Sequence, residues 1–491
     1  VGGPMKKKAI LTTVGFGCIV ALCFILSPLT RASGPGAAKE ITFSRDVAPI
    51  LYKNCAICHR PNDIAPMSLL SYKEARPWAR SIKEKVLTRE MPPWSPDPKY
   101  GEFANDHRLA QKDIDTVVAW VDQGSKEGNT RDLPKIPEFV SGGGWEIGKP
   151  DVVLQMAEEH TVQPSDPDQY INFFIPTNFK EDMWVQAAEI HPGNRRVVHH
   201  VIAFIQTPQA MAKRNEDAKA RGEKVGKRSA GGSGLFYLDG NLRRVRMDAP
   251  VMDNACDQKV GAGPGGRQPG GGGEGENEGM LLAGFAPGTG NTAYPPGTAK
   301  RVPAGATLMF QMHYSAFRGS LKESVTDRTS IGLIFAKQAP EKMVITSAAA
   351  NVMFKIPAGD DNHEVLACQT VPRDIQVINY MPHMHLRGKD MKYEVVYPDG
   401  RRETLLWVPK FSFNWQSVYW LKQPVNIPKG TKLIVTAHFD NSTKNKYNPD
   451  PKKDVRWGDP TYDEMMIGWM DITIDNPARA PKPDAAKATG K

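Results

Sequence analysis

Hydrophobic positions change their rhythm twice along this chain. From residue 40 to about 126 they recur at helical spacing. Ser44 is placed to cap a helix carrying Val47, Ile50 and Leu51, and Ser71 to cap a second that runs toward Val86. Ile114, Val117, Val118 and Val121 line one face of a third, which stops at Gly124. Residues 127–147 carry Pro134, Pro137 and Gly142-Gly143-Gly144 and read as a linker. From Gly148 onward the pattern shifts to short alternating or apolar runs broken by Pro, Gly, Asn and Asp. Val197–Ile205, Thr307–His313, Ile331–Phe335, Tyr393–Tyr397 and Lys432–His438 are examples. Such runs predict β-sandwiches, and about 330 residues is large for one. Two are expected, 148–338 and 339–478, meeting near Gln338–Lys342, with 479–491 as a disordered tail. The expected architecture is multidomain: a small all-α domain at 40–126 followed by two all-β sandwich domains.

The start of the chain follows another pattern. After Met5 come Lys6-Lys7-Lys8, an apolar run from Ala9 to Leu26, and Thr30-Arg31-Ala32, with small residues at two cleavage positions. This predicts a secretory signal peptide at 5–32, cut after Ala32, and a periplasmic or secreted protein. The rival is an uncleaved anchor, for which a run of ~18 residues is at the short end. A membrane is an expected partner only if the leader is retained. The 491 residues carry a net charge of +9, and four of the basic residues lie in the leader, which leaves a dispersed +5 and no case for a nucleic-acid partner. Gly261-Ala262-Gly263-Pro264-Gly265-Gly266 spells GxGxxG, but no helix can open on Gly270–Gly273, so a flexible insertion loop is expected instead of a dinucleotide site.

The six cysteines sort into pairs. Cys18 and Cys23 lie in the leader. Cys256 and Cys368 form a leftover pair that could close a disulfide in an oxidising compartment, although the sequence does not show that they meet. Cys55-Ala56-Ile57-Cys58-His59 is a c-type haem attachment sequence, in which both thiols bond to the porphyrin and the adjacent imidazole becomes an axial ligand. A redox dithiol would want a βαβ context, and a zinc site a second ligand pair. For the sixth ligand, Met91 on the loop before the last helix is favoured. The rival, Met67, is only eight residues from His59, and the chain must round the haem edge to reach its other face. A Met/His pair would raise the potential. Residues 40–126 resemble small bacterial c-type cytochrome domains.

Eleven histidines are few for this length, so their clustering is informative. His383 and His385 stand two apart, on one face if the segment is a strand, and could chelate one metal. His199 and His200 would point to opposite faces unless a bulge or strand end re-aims one ring. His313 can join them only through the fold. Two imidazoles with a thioether suit copper cycling through Cu(I), whereas three imidazoles suit copper or zinc equally. A blue-copper site is not supported, since Cys368 lies fifteen residues before His383 with no accompanying pattern. His107, His160, His191, His363 and His438 read as ordinary core or surface histidines.

Together these elements, over residues 148–475, resemble the copper type II, ascorbate-dependent monooxygenase family. That resemblance implies two jelly-roll sandwiches, each carrying one copper, on either side of a solvent-filled cleft. It implies one copper at His199, His200 and His313, the last within Gln311-Met312-His313-Tyr314. It implies a second, catalytic copper at His383, His385 and the Met465 of Asp463-Glu464-Met465, with Met466 as the neighbouring alternative. The implied activity is hydroxylation of a C–H bond in a small-molecule or peptide substrate with dioxygen. With the haem c added, a periplasmic electron donor is expected to reduce the coppers through the haem. The animal members of the family carry several disulfides, use ascorbate and lack a fused cytochrome, so their substrate specificity does not carry over. The alternatives are a haem–copper electron-transfer or copper-holding protein without oxygenase activity, and a structural or carbohydrate-binding sandwich tethered to a cytochrome.

Overall fold

The structure is a computed structural model that describes residues 40–138 (except 62, 64 and 66), 144–166, 169–220, 228–229, 235–237, 242–244, 251–257, 280–286, 291–315, 321–458 and 461–476. The expected leader at 5–32, the Gly-rich stretch 261–273 and the tail 479–491 lie outside these residues. No helix among the described residues is long and apolar enough to cross a membrane.

The helices lie close to where the spacing puts them, with one correction at the start. A π turn, Phe43–Val47, leads into α1 (Ala48–Asn54), so the chain enters the helix at Thr42, upstream of the expected cap. Ser44 is buried inside that turn and caps nothing. The Asp46 carboxylate accepts the Thr42 N–H at 2.9 Å, which is half of a capping box. Phe43 accounts for the early start, because its ring is buried against Tyr72 and Trp120. Ser71 does cap α2 (Tyr72–Ala75), its Oγ accepting the Glu74 N–H. A 3-10 turn carrying Pro77 then leads into α3 (Ala79–Leu87). In α4 (Gln111–Asp122), Ile114, Val117 and Trp120 are buried, and the chain turns off at Gly124 with φ +93°.

Sixteen of the strands among the described residues form the main layers of the rest. The first eight are β1 (Val152–Gln155), β2 (Gln169–Pro176), β3 (Met183–His191), β4 (Val198–Gln206), β5 (Met280–Phe285), β6 (Thr298–Val302), β7 (Thr307–Tyr314) and β8 (Ser330–Phe335). The second eight are β9 (Lys342–Ala350), β10 (His363–Thr370), β11 (Ile375–His383), β12 (Gly388–Val396), β13 (Arg402–Val408), β14 (Tyr419–Ile427), β15 (Lys432–Phe439) and β16 (Ile467–Asp475). Shorter ladders complete the edges. In the first sandwich the layer β2-β7-β4-β5 faces β1-β8-β3-β6, and in the second β10-β15-β12-β13 faces β9-β16-β11-β14. Each sandwich closes over its own apolar core.

The two sandwiches share a sheet. β6 pairs with β9 in parallel, Thr298 opposite Lys342 and Ala299 opposite Met343, at the expected junction. Four strands of each sandwich, with the short strand Thr292–Ala293 paired to β3, thereby join one nine-stranded sheet. Beside this seam Lys300 is fully buried on β6 and donates to Asp471 Oδ1 on β16 at 3.1 Å, to Thr346 Oγ1 at 2.7 Å and to the Leu281 carbonyl at 2.7 Å. The other Asp471 oxygen accepts from Asn379 Nδ2 at 2.9 Å.

Two further contacts cross between regions. Residues 251–257 fall between β4 and β5 in sequence but pack on the second sandwich, where the Cys256–Cys368 disulfide closes with a Cα–Cα distance of 4.9 Å. Leu366 donates its N–H to the Asp253 carbonyl at 2.7 Å beside it. Trp94 and Phe103, between α3 and α4, are buried in the core of the second sandwich and not among the helices. Ala104 N–H donates to the Trp420 carbonyl at 2.7 Å, and Trp420 N–H to Asn105 Oδ1 at 3.0 Å.

Substituting Lys300→Met leaves the Asp471 carboxylate buried without a counter-charge and is expected to cost roughly 3–5 kcal/mol in denaturant unfolding, with the double variant K300M/D471L recovering most of the loss. His438 on β15 supplies a pH dependence. Its Nδ1 lies 2.9 Å from Asp390 and its Nε2 3.4 Å from Glu364, and chiefly the Asp390 hydrogen bond raises its pKa above the ordinary 6.5. A histidine raised in the folded state stabilises fully below its unfolded pKa and loses that contribution as pH rises through the folded value. Thermal melts across this window should show the decline, and His438→Gln should flatten it.

Candidate metal centres

The first cluster depends on a fault in a strand ladder. Along β7, His313 pairs with His200 of β4 but the next residue, Tyr314, pairs with Val198, so His199 is left over as a bulge. The bulge turns two successive side chains toward the same place, as an HH pair in a regular strand could not. His200 Nδ1 lies 3.4 Å from His199 Nδ1 and 3.3 Å from His313 Nδ1. Among the described residues this is the one group of three or more His, Cys, Asp or Glu whose ligand atoms converge, all within 4.8 Å. Imidazole nitrogens about 2.0–2.1 Å from one ion, at tetrahedral to trigonal angles, stand about 3.3–3.6 Å apart, so the spacing fits a metal. Loss of solvent, then the neighbouring His313 and His199, hold His200 well below its ordinary pKa. It is therefore neutral, as a ligand must be.

The surroundings lock these rings. Tyr170, opposite His313 on β2, stacks on it with ring centroids 4.3 Å apart and planes at 12°. Tyr314 donates to Asp327 Oδ2 at 2.8 Å, and Asp327 Oδ1 accepts the Asn194 N–H at 2.9 Å, at the turn that feeds β4. Both strand ends that carry the cluster are thus tied to one buried carboxylate.

The second cluster is organised differently. β11 ends at His383, so His385 lies on the turn beyond and not two places along a strand, as the spacing suggested. The rings still meet, with centroids 5.4 Å apart. His383 Nδ1 donates to Gln416 Oε1 at 2.5 Å and His385 Nδ1 to the Asp463 carbonyl at 3.1 Å, which leaves both Nε2 atoms for an ion. Desolvation lowers the two imidazoles to about 4 and about 3, so both are neutral. The buried Glu464 carboxylate accepts the backbone N–H groups of His385 at 2.8 Å, Arg387 at 2.6 Å and Met465 at 3.3 Å. One side chain therefore joins the HxH turn to the methionine. Met465 packs with Ala348 and Ile467, whereas Met466 is buried in the core of the second sandwich.

A single loop connects the clusters. Between β13 and β14, Phe413 stacks on His199 at 5.8 Å and 12° and meets His385 edge-on at 6.0 Å. Gln416 Nε2 donates to the Phe413 carbonyl at 3.1 Å while its Oε1 holds His383. Phe413, Gln416 and Tyr170 were not anticipated from the sequence, which carries no local signal for them. Glu464 was written out as part of a motif without a role. The five histidines read as ordinary have protein partners: His107 with the Pro93 and Asn105 carbonyls, His160 with Gln169, His191 with Glu189 and Trp145, His363 with Asp360, and His438 with Asp390.

At the end of α1, Cys58 and His59 donate their N–H groups to the Cys55 carbonyl at 3.1 and 2.9 Å, so the three side chains share one turn. Both thiols are free. Burial pushes Cys55 up to about 12 and Cys58 up to about 11, the opposite of the lowered thiol of a redox CxxC. His59 Nδ1 donates to the Met67 carbonyl at 3.3 Å, which frees Nε2 for an axial bond. Two neutral thiols beside an oriented imidazole fit covalent haem attachment. Met67 thus engages His59 from the Nδ1 side.

Residues 342–470 match the family model of the copper type II ascorbate-dependent monooxygenase, C-terminal domain. The matched span includes His383, His385 and Met465 and stops short of the three-histidine cluster and the CxxCH turn. No curated protein matches the chain.

Because Gln416 fixes the tautomer of His383, Gln416→Leu is expected to weaken Cu(I) binding at the second cluster by about 10–100-fold in chelator competition. Affinity at His199, His200 and His313 should be unchanged, and Gln416→Glu should retain most of the binding.

Proposed function

We propose that this protein is an exported monooxygenase that holds two copper ions and one covalent haem c, and that it hydroxylates a C–H bond of a small-molecule or peptide substrate with dioxygen. The observation that carries this reading is the convergence of His199, His200 and His313, with the paired rings of His383 and His385 reached by the same loop, within a chain whose residues 342–470 match a copper monooxygenase family model. The reaction needs two electrons and two protons: RH + O2 + 2e⁻ + 2H⁺ gives ROH and H2O. His199, His200 and His313 would hold one copper and His383, His385 and Met465 the other, and the two ions would supply one electron each and, at the second, a place for dioxygen.

The chain's own residues set the stage for this. The bulge at His199 and the Tyr170 stack hold three Nδ1 atoms in fixed positions. Gln416, Asp463 and Glu464 aim His383 and His385 through Nε2 and bring Met465 beside them. Cys55, Cys58 and His59 would hold the haem, and Met91 would supply the thioether on its other face, with the Met67 backbone carbonyl keeping His59 Nδ1 occupied. A haem held there would take electrons from a periplasmic donor, replacing or supplementing the ascorbate used by the family. The leader at 5–32 directs export.

Purified protein should carry two coppers and one covalent haem per chain, and a substrate screen read by mass spectrometry should find a product heavier by one oxygen atom. His383→Ala should abolish that product while leaving the haem spectrum intact. Reversible redox changes without oxygen incorporation would make the protein a haem–copper electron carrier instead, and absence of copper would remove both readings.

A further inference from the structure

The helical segment touches each sandwich at a different place, and the two contacts lead to different clusters. Asp63 lies four residues after His59, with its side chain buried. It pairs with Arg60 at 2.8 Å and, across to the first sandwich, with Arg195 at 3.5 Å. Arg195 precedes His199 by four residues and lies over the Phe285 ring at 5.3 Å. Its turn is rigid: Val197 and Val198 donate to the Asn194 carbonyl, and Asn194 is itself bound to Asp327. Between the chain segment that carries His59 and the one that carries His199 there is a single through-space step.

The route toward the second cluster is longer. Trp94 follows Met91 by three residues and meets Tyr419 with ring centroids 5.1 Å apart. Tyr419 is three residues from Gln416, which reaches His383 by a hydrogen bond. That path has two through-space steps and begins at the sixth-ligand candidate.

We infer that electrons pass from the haem to the His199/His200/His313 cluster first, and that the Asp63–Arg195 contact positions the haem-attachment turn for this transfer. The inference rests on the haem and copper content proposed above. The step moves one electron: ferrous haem becomes ferric, cupric ion becomes cuprous, and no bond or proton changes place. A one-electron reductant restores the haem, and in the assay dithionite serves.

The test uses the full chain loaded with haem and copper, without oxygen, given one electron per chain. The decay of the ferrous haem band and the loss of the cupric paramagnetic signal report the transfer. In His313→Ala the haem should stay reduced, whereas in Met465→Ile it should still reoxidise. Arg195→Glu, which sets two carboxylates against each other at this contact, should slow the decay severalfold. Arg195→Lys should keep most of the rate, and an unchanged haem spectrum and cupric signal in Arg195→Glu before reduction separates loss of the contact from misfolding. Reoxidation that survives in His313→Ala and disappears in Met465→Ile places entry at the other cluster and overturns the inference. An unchanged rate in Arg195→Glu removes the role of the contact. Missing haem or copper is seen in the starting material and overturns the proposed function itself.

Discussion

The short parallel pairing of β6 with β9 fixes everything downstream of it. Two-sandwich proteins joined by a linker are free to rock, and groups on facing surfaces then have no defined separation. Here the sheet runs through the join, and Lys300 is clamped onto Asp471 within it. A buried ion pair adds little net stability, because desolvation opposes the Coulomb attraction, but it penalises any arrangement that separates its members. The Cys256–Cys368 disulfide repeats the constraint elsewhere. With the sandwiches locked, a loop of the second can place Phe413 against His199 of the first.

Local pattern made the strands and helices legible because their periodicity is written into consecutive residues. Val197–Ile205 differs from the observed strand by one residue at each end, and α4 follows the predicted face. The requirement that a bulge or a strand end re-aim His199 or His200 could be deduced because side-chain alternation sends neighbours on a regular strand to opposite faces. The structure supplies that bulge. Ser44 failed as a cap because tertiary burial of Phe43 outweighed a local hydroxyl preference of about 1 kcal/mol.

What the sequence did not disclose are contacts between distant segments. A two-residue parallel pairing has no compositional mark, so the shared sheet was invisible. Nothing local marks Trp94 and Phe103 as packing outside the helical region, yet their apolar area is satisfied by the second sandwich. The Cys256–Cys368 pair was left open for the same reason. Gln416 and Tyr170 act on histidines more than thirty residues away, and only the fold names such partners.

The two clusters also differ in which imidazole nitrogen they present, and that difference has a physical consequence. In the first, the Nδ1 atoms converge, so the nitrogen nearest the backbone is the one facing the site and the ring has little freedom to swing. In the second, the Nδ1 atoms are held by Gln416 and by the Asp463 carbonyl, and the more distant Nε2 atoms face the site. Rotation about the side-chain bonds displaces Nε2 further than Nδ1, so this cluster relies on its hydrogen bonds for position and can yield when they stretch. A site that only gains and loses an electron benefits from a cage that changes little between oxidation states. A site that admits dioxygen needs to accommodate a changing ligand set. Under the proposed function the first cluster would take the first task and the second cluster the second, in keeping with the chain's own geometry at His199 and His383.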